Sequence, residues 1–143
     1  MSDIVWMIKP SENDGIGIKE RMQRFMYDLG SSRNIECTLN ADELDGMKLT
    51  MPQKKNLYLI FKEAINNAVK YSETPVLEVD IFLRDKQLVM HVKDYGKGFN
   101  EAITSNGNGL NNMKMRAKEL KGTLQISSIP NQGTKLSLSF PVH

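Results

Sequence analysis

Asn56–Ser72 reads NLYLIFKEAINNAVKYS. Leu57, Ile60, Phe61, Ala64, Ile65 and Ala68 recur at i, i+3, i+4, the spacing of a helix with one buried face. Glu63, Asn67 and Lys70 fall on another face, within an arc of roughly 60° at about 100° per residue. That stripe presents a carboxylate, a side-chain amide and an ammonium, one turn apart. A carboxylate can orient or deprotonate a water, an amide oxygen can ligate a hard cation, and an ammonium can neutralise a phosphate. Taken alone, the same residue types form the polar edge of many solvated helices. The meaning of the stripe depends on its surroundings.

Downstream, Leu77, Val79, Ile81 and Leu83 alternate with polar residues, Asp85–Lys86 forms a turn, and Leu88, Met90 and Val92 carry a return strand. This is a hairpin of half-buried strands. His91 lies on its polar side, with no second His or Cys at ligand spacing. Two glycine-rich elements follow. DYGKG at Asp94–Gly98 stands where the strand ends, and its glycines permit close approach by a flat or anionic group. Gly107-Asn108-Gly109-Leu110 precedes a helix of about Leu110–Leu120, with Leu110, Met113, Ala117 and Leu120 inward and Gly122 as its stop. Helix N-terminal amides favour phosphate. Neither element has Walker A or dinucleotide-fold spacing. The last strands are TLQISS and TKLSLSF, joined by a PNQG turn.

Upstream, a helix is expected from about Gly17 to Leu29 with Gly30 as its stop, then a strand carrying Ile35, Cys37 and Leu39, then a polar loop Asn40–Thr50. Pro52 leads into the central helix. Residues 2–9, SDIVWMIK, are an apolar stub before Pro10. Strand alternation with helices on one face predicts a two-layer α/β sandwich on a mixed, largely antiparallel sheet.

The 143 residues carry a formal charge of only +2, which gives no reason to expect a nucleic acid partner. No apolar run approaches the roughly 18–20 residues of a membrane span, so no membrane contact is expected of this chain. Cys37 is the sole cysteine and permits a reducing, cytoplasmic setting.

The order of elements is the informative feature. E-x-x-x-N-x-x-K-Y on a helix precedes a hairpin, D-x-G-x-G, a short loop, G-x-G-L and a late Gly133–Thr134. In this order the chain resembles the GHKL superfamily, specifically the ATP-binding catalytic domain of bacterial sensor histidine kinases, over residues 10–143. The resemblance implies ATP and Mg²⁺ as cofactors. It implies that Glu63 acts on the phosphoryl-transfer side, Asn67 ligates magnesium, and Lys70 and Tyr71 reach the phosphates. Many relatives carry His where Tyr71 stands. Asp94 would read the adenine amino group, with Gly96 and Gly98 shaping the pocket floor and Thr134 beside the adenine. Tyr95 stands where Asn or Asp is frequent. Gly107, Gly109 and Leu110 would end a mobile lid of about Asn100–Asn108, short as in the nitrate-responsive and membrane-fluidity sensor subgroup.

The same resemblance makes residues 1–9 the end of a dimerisation and histidine-phosphotransfer helix. Only His91 and His143 exist, neither on a helix ahead of the catalytic part, so the acceptor histidine is expected on a domain absent from this chain. Expected partners are that domain and a response regulator. This chain is expected to be monomeric, within a homodimeric parent that is cytoplasmic or anchored in the inner membrane. A serine-directed kinase resembling anti-sigma factors and a non-catalytic nucleotide sensor remain alternative uses of such a pocket.

Overall fold

The computed structural model describes residues 14–69, 75–96, 108–129 and 132–142, with backbone alone at 14–16, 45, 108–110 and 129. Its elements are α1 (Asp14–Arg33), β1 (Glu36–Asn40), a 3-10 turn (Asp42–Gly46), α2 (Met51–Asn67), β2 (Val76–Arg84), β3 (Gln87–Asp94), α3 (Asn108–Glu119), β4 (Thr123–Ile129) and β5 (Gly133–Pro141). The stub at 2–9, and with it the boundary at residue 10, lies outside the described residues.

The five strands form one sheet in the order β1-β2-β3-β5-β4. β1 runs parallel to β2, and the other three pairings are antiparallel. Asp85 and Lys86 both adopt positive φ (53° and 64°) and close the β2–β3 hairpin without a glycine. Leu77, Val79 and Ile81 of β2, Leu88, Met90 and Val92 of β3, and Leu136, Leu138 and Phe140 of β5 are buried together with the helices. The helices cover this one face, giving the expected two-layer sandwich.

The centre of the helical layer is α2. Its N-terminus is fixed by a capping box: Thr50 Oγ1 accepts from the Gln53 N–H and Gln53 Oε1 accepts from the Thr50 N–H. The helix therefore begins at Met51, ahead of the quoted stretch. Leu57, Ile60, Phe61 and Ile65 are fully buried. Phe61 meets Phe25 of α1 edge-on, with centroids 5.7 Å apart, and stacks beside Tyr58 at 6.0 Å. After Asn67 the helix widens at Ala68–Val69, where the regular hydrogen-bond repeat gives way to a π-type turn.

Three local expectations are corrected. α1 runs on through Gly30 to Arg33 and ends at Asn34, whose φ is +58°. Gly30 is instead a close-packing position, since a Cβ there would lie 2.9 Å from the Ile35 carbonyl oxygen. Residues 40–50 are not simply a polar loop. Ala41, Leu44, Met47 and Leu49 are buried beneath the 3-10 turn, and Glu43 Oε1 accepts the Leu83 N–H at 2.7 Å, just past the last residue that β1 pairs with β2. Gly122 is not the left-handed residue that stops α3. Lys121 is, at φ +60°, with Lys121 N–H to Lys118 O and Gly122 N–H to Ala117 O, both 2.9 Å. These two bonds make a Schellman closure. A Cβ at Gly122 would sit 2.2 Å from the Ser139 carbonyl oxygen, so this glycine lets α3 return against β5.

Candidate functional site

Between the C-terminal end of α2, the first half of α3 and the sheet lies a narrow cleft. Its helical walls are Ala64, Ala68 and Met113, and its sheet wall is Val92, Ile126 and Leu136. Three polar residues enter it: Asn67, Asp94 and Thr134. They come from α2, β3 and β5. α2 places Asn67 here because its preceding turns are pinned by Phe61 and Ile65 in the core.

Asp94 is the last residue of β3 and only 3% exposed. Its Oδ1 accepts two backbone N–H groups, from Gly96 and from Thr134, each at 3.1 Å. Two backbone donors on one oxygen satisfy this buried carboxyl group in a largely apolar cleft. Gly133, at φ +105°, passes so close that a Cβ on it would lie 2.1 Å from the Asp94 carbonyl oxygen. Only glycine combines that φ with that approach. The Gly133–Thr134 pair thus brings β5 against the end of β3 and aims the Thr134 N–H at the carboxylate. Thr134 Oγ1 in turn donates to Ser128 Oγ on β4, at 3.1 Å.

Asn67 is 8% exposed, and Glu63 stands half-buried one helical turn earlier. Gly96 supplies its N–H to Asp94. Gly109 and Leu110 lie in the first turn of α3, where backbone alone is described. Lys70, Tyr71, Gly98 and Gly107, with most of the lid, lie outside the described residues. Tyr95 turns away from the cleft. Its hydroxyl donates to Glu78 at 2.7 Å, and the Lys93 ammonium sits 4.9 Å from its ring centroid.

Sequence reading did not identify Val92, Met113, Ile126 and Leu136 as walls of the site. Their apolar periodicity marks them as core, and only the third dimension distinguishes a core position from a wall. Ser128 gave no signal at all. The Gly-Thr pair marked this position in the order of elements, but the steric role of Gly133 against Asp94 gave no signal.

The cleft encloses only about 20 Å³ as it stands, with apolar side chains from helices and sheet on its two surfaces and a fixed carboxylate in its lining. In its chemistry, that lining matches the faces and an edge amino group of a flat heterocycle. A profile of the family described as histidine kinase-, DNA gyrase B- and HSP90-like ATPase matches residues 53–143. The chain belongs to this ATPase family. Relatives include the sensor protein VraS of Staphylococcus aureus (strain COL), 32% identical over 102 residues, which are 71% of this chain and 29% of that protein. The oxygen sensor histidine kinase NreB of Staphylococcus carnosus (strain TM300) is 28% identical over 141 residues, 94% of this chain and 39% of that protein. The chain therefore spans well under half the length of either relative. Among solved structures, the histidine kinase domain of the Erythrobacter litoralis EL346 blue-light activated kinase superposes with a TM-score of 0.74 at 18% identity, over 87% of this chain and 61% of that one. Acinetobacter baumannii AdeS gives 0.68 at 17%, over 89% and 64%. At such identities the superpositions speak for the fold of the ATPase family.

Among the described residues no group of three or more His, Cys, Asp or Glu side chains could by itself hold a metal ion. An ATPase-family site does not require one. Magnesium keeps much of its hydration and binds through one or two protein ligands together with substrate phosphates. The Asn67 amide, with Glu63 one turn away, fits that donor set. No helix among the described residues is long and apolar enough to cross a membrane.

Proposed function

We propose that this ATPase-family domain binds Mg–ATP and is the catalytic domain of a sensor histidine kinase. The observation that carries the reading is the buried Asp94 carboxylate, fixed by the Gly96 and Thr134 N–H groups in a largely apolar cleft that Asn67 also lines. In this reading Asp94 accepts a hydrogen bond from the adenine amino group, and the Ala68, Met113 and Ile126 side chains exclude water from the ring. Asn67 Oδ1 would hold the magnesium, which when bound would supply charge neutralisation at the phosphates. Glu63 stands on the phosphoryl-transfer side, while Lys70 and Tyr71 take the phosphates by family resemblance. Positioning and charge neutralisation account for most phosphoryl-transfer catalysis, so this equipment suffices without a covalent enzyme intermediate.

The γ-phosphoryl passes to an imidazole nitrogen of a histidine, ADP leaves, and the phosphohistidine next serves a response-regulator aspartate. That histidine belongs to the dimerisation domain of a longer, homodimeric parent, cytoplasmic or membrane-anchored. His91 does not take this part, for it lies on the outer sheet face, edge-on to Phe82 with centroids 5.4 Å apart. The chain alone then binds ATP without phosphorylating itself. Incubation with γ-labelled Mg–ATP tests this: label appears on protein only when the parent's dimerisation segment is supplied. Label retained by the isolated chain, or nucleotide binding without transfer to that segment, contradicts the reading.

A further inference from the structure

Asn56 is a buried polar residue that the nucleotide site does not use. It sits on α2, 3% exposed, three turns before Asn67. Its amide is engaged at both ends by α3: Arg116 Nη1 donates to Asn56 Oδ1 at 3.1 Å, and Asn56 Nδ2 donates to Glu119 Oε1 at 3.2 Å. An amide alone offers a donor and an acceptor from one rigid plane, so it can bridge a cation and an anion at once. Arg116 lies one turn after Met113, on the same side of α3, and Met113 is the α3 side chain that walls the cleft.

The rest of α3 divides unevenly. Its C-terminal end is held by the Schellman closure at Lys121–Gly122 and by the contact of Gly122 with β5. Its N-terminal end carries Gly109 and Leu110 in its first turn. The Asn56 bridge grips the last turn of α3 at Arg116 and Glu119, beginning one turn after Met113.

We propose that Asn56 is a positioning residue for nucleotide binding: by gripping Arg116 and Glu119 it sets how α3 presents Met113 and its first turn to the cleft. This inference rests on the reading of the cleft as an adenine nucleotide site. Asn56 touches no ligand, and its effect travels through the rigid body of α3.

The test is calorimetric titration with Mg–ADP at a temperature where every protein is folded by circular dichroism. Asn56→Asp sets a carboxylate against Glu119 and is expected to weaken Mg–ADP binding about three- to tenfold. Adding Glu119→Gln supplies an amide donor to the new carboxylate and is expected to restore affinity to within about twofold. Met47→Ala, buried under the 3-10 turn, serves as a destabilised control with unchanged affinity. Equal affinity in folded Asn56→Asp and wild type, or no rescue by the second change, overturns the proposal. Should Asn56→Asp fail to fold, hydrogen exchange on wild type decides. Mg–ADP is expected to slow exchange chiefly in residues 111–115 and to leave 117–122 as protected as before. Uniform protection along α3, or none, contradicts the idea. Failure of wild type to bind Mg–ADP would instead defeat the nucleotide-site reading, so the two failures are separable.

Discussion

Asp94 and Asn56 are equally buried, each 3% exposed, and each is held by hydrogen bonds from two directions. Asp94 is fixed by backbone N–H groups and looks into a cleft with apolar walls. Asn56 is fixed by side chains and is sealed between two helices. Burial and satisfied polarity are therefore shared by a site residue and a structural bridge. The difference lies in the surroundings: a backbone cradle leaves side-chain space for a visitor, whereas a side-chain network fills its own space. The two regions should respond differently to substitution, Asp94 in ligand affinity with little loss of stability, and Asn56 in stability and, through α3, in ligand affinity as well.

The largest effect is expected where the cradle is built. Gly133→Ala must place a Cβ against the Asp94 carbonyl at a φ that L-residues avoid. It should cost about 2–4 kcal/mol in chemical denaturation and abolish nucleotide binding. Retention of wild-type stability would show that the contact relaxes cheaply. Asn56→Leu leaves Arg116 and Glu119 without their shared amide and should cost about 1–3 kcal/mol by the same measurement. Asp94→Asn, which keeps an acceptor for the Gly96 and Thr134 N–H groups, should cost less than about 1 kcal/mol. The reverse order of these two would dissolve the contrast. Tyr95→Phe removes the outward bond to Glu78, so ATP affinity should stay within about twofold and stability within about 1 kcal/mol.

The smallest expected effect concerns pH. Burial, then the neighbouring Lys135, hold the His91 imidazole below its ordinary range; Asp80 opposes this and Arg84 adds to it. With the folded value depressed, the unfolded chain takes up the proton first as pH falls below about 6.5. His91 thus removes stability on acidification through that window. His91→Asn should flatten the slope of stability against pH between about 7 and about 5. An unchanged slope would assign the pH dependence to other groups.

Much of this contrast was legible in the sequence on one side and not on the other. Asp94 and Gly96 alone would read as a turn at a strand end; Asn67, Asp94 and Gly133–Thr134 became legible through their order along the chain. The sheet was legible because its strands alternate strictly with period two. Asn56 was silent, because its meaning depends on Arg116 and Glu119, some sixty residues away. Residues 40–50 misled for a related reason. Their polar composition hides Leu44 and Met47, which become core only once the 3-10 turn folds them beneath itself. Gly30 and Gly122 invite the same misreading, since a glycine needed for close packing and a glycine needed for a helix stop look alike in one dimension.

The central claim is that Asp94 reads the amino group of adenine, and base-selective binding tests it most directly. Mg–ATP and Mg–ITP, which differ at that amino group, would be titrated calorimetrically into wild type and Asp94→Asn. The account predicts that wild type favours ATP by about tenfold or more, the worth of one charge-assisted hydrogen bond, and that the variant loses the preference. Equal binding of both nucleotides by wild type, or a preference untouched in Asp94→Asn, would contradict it.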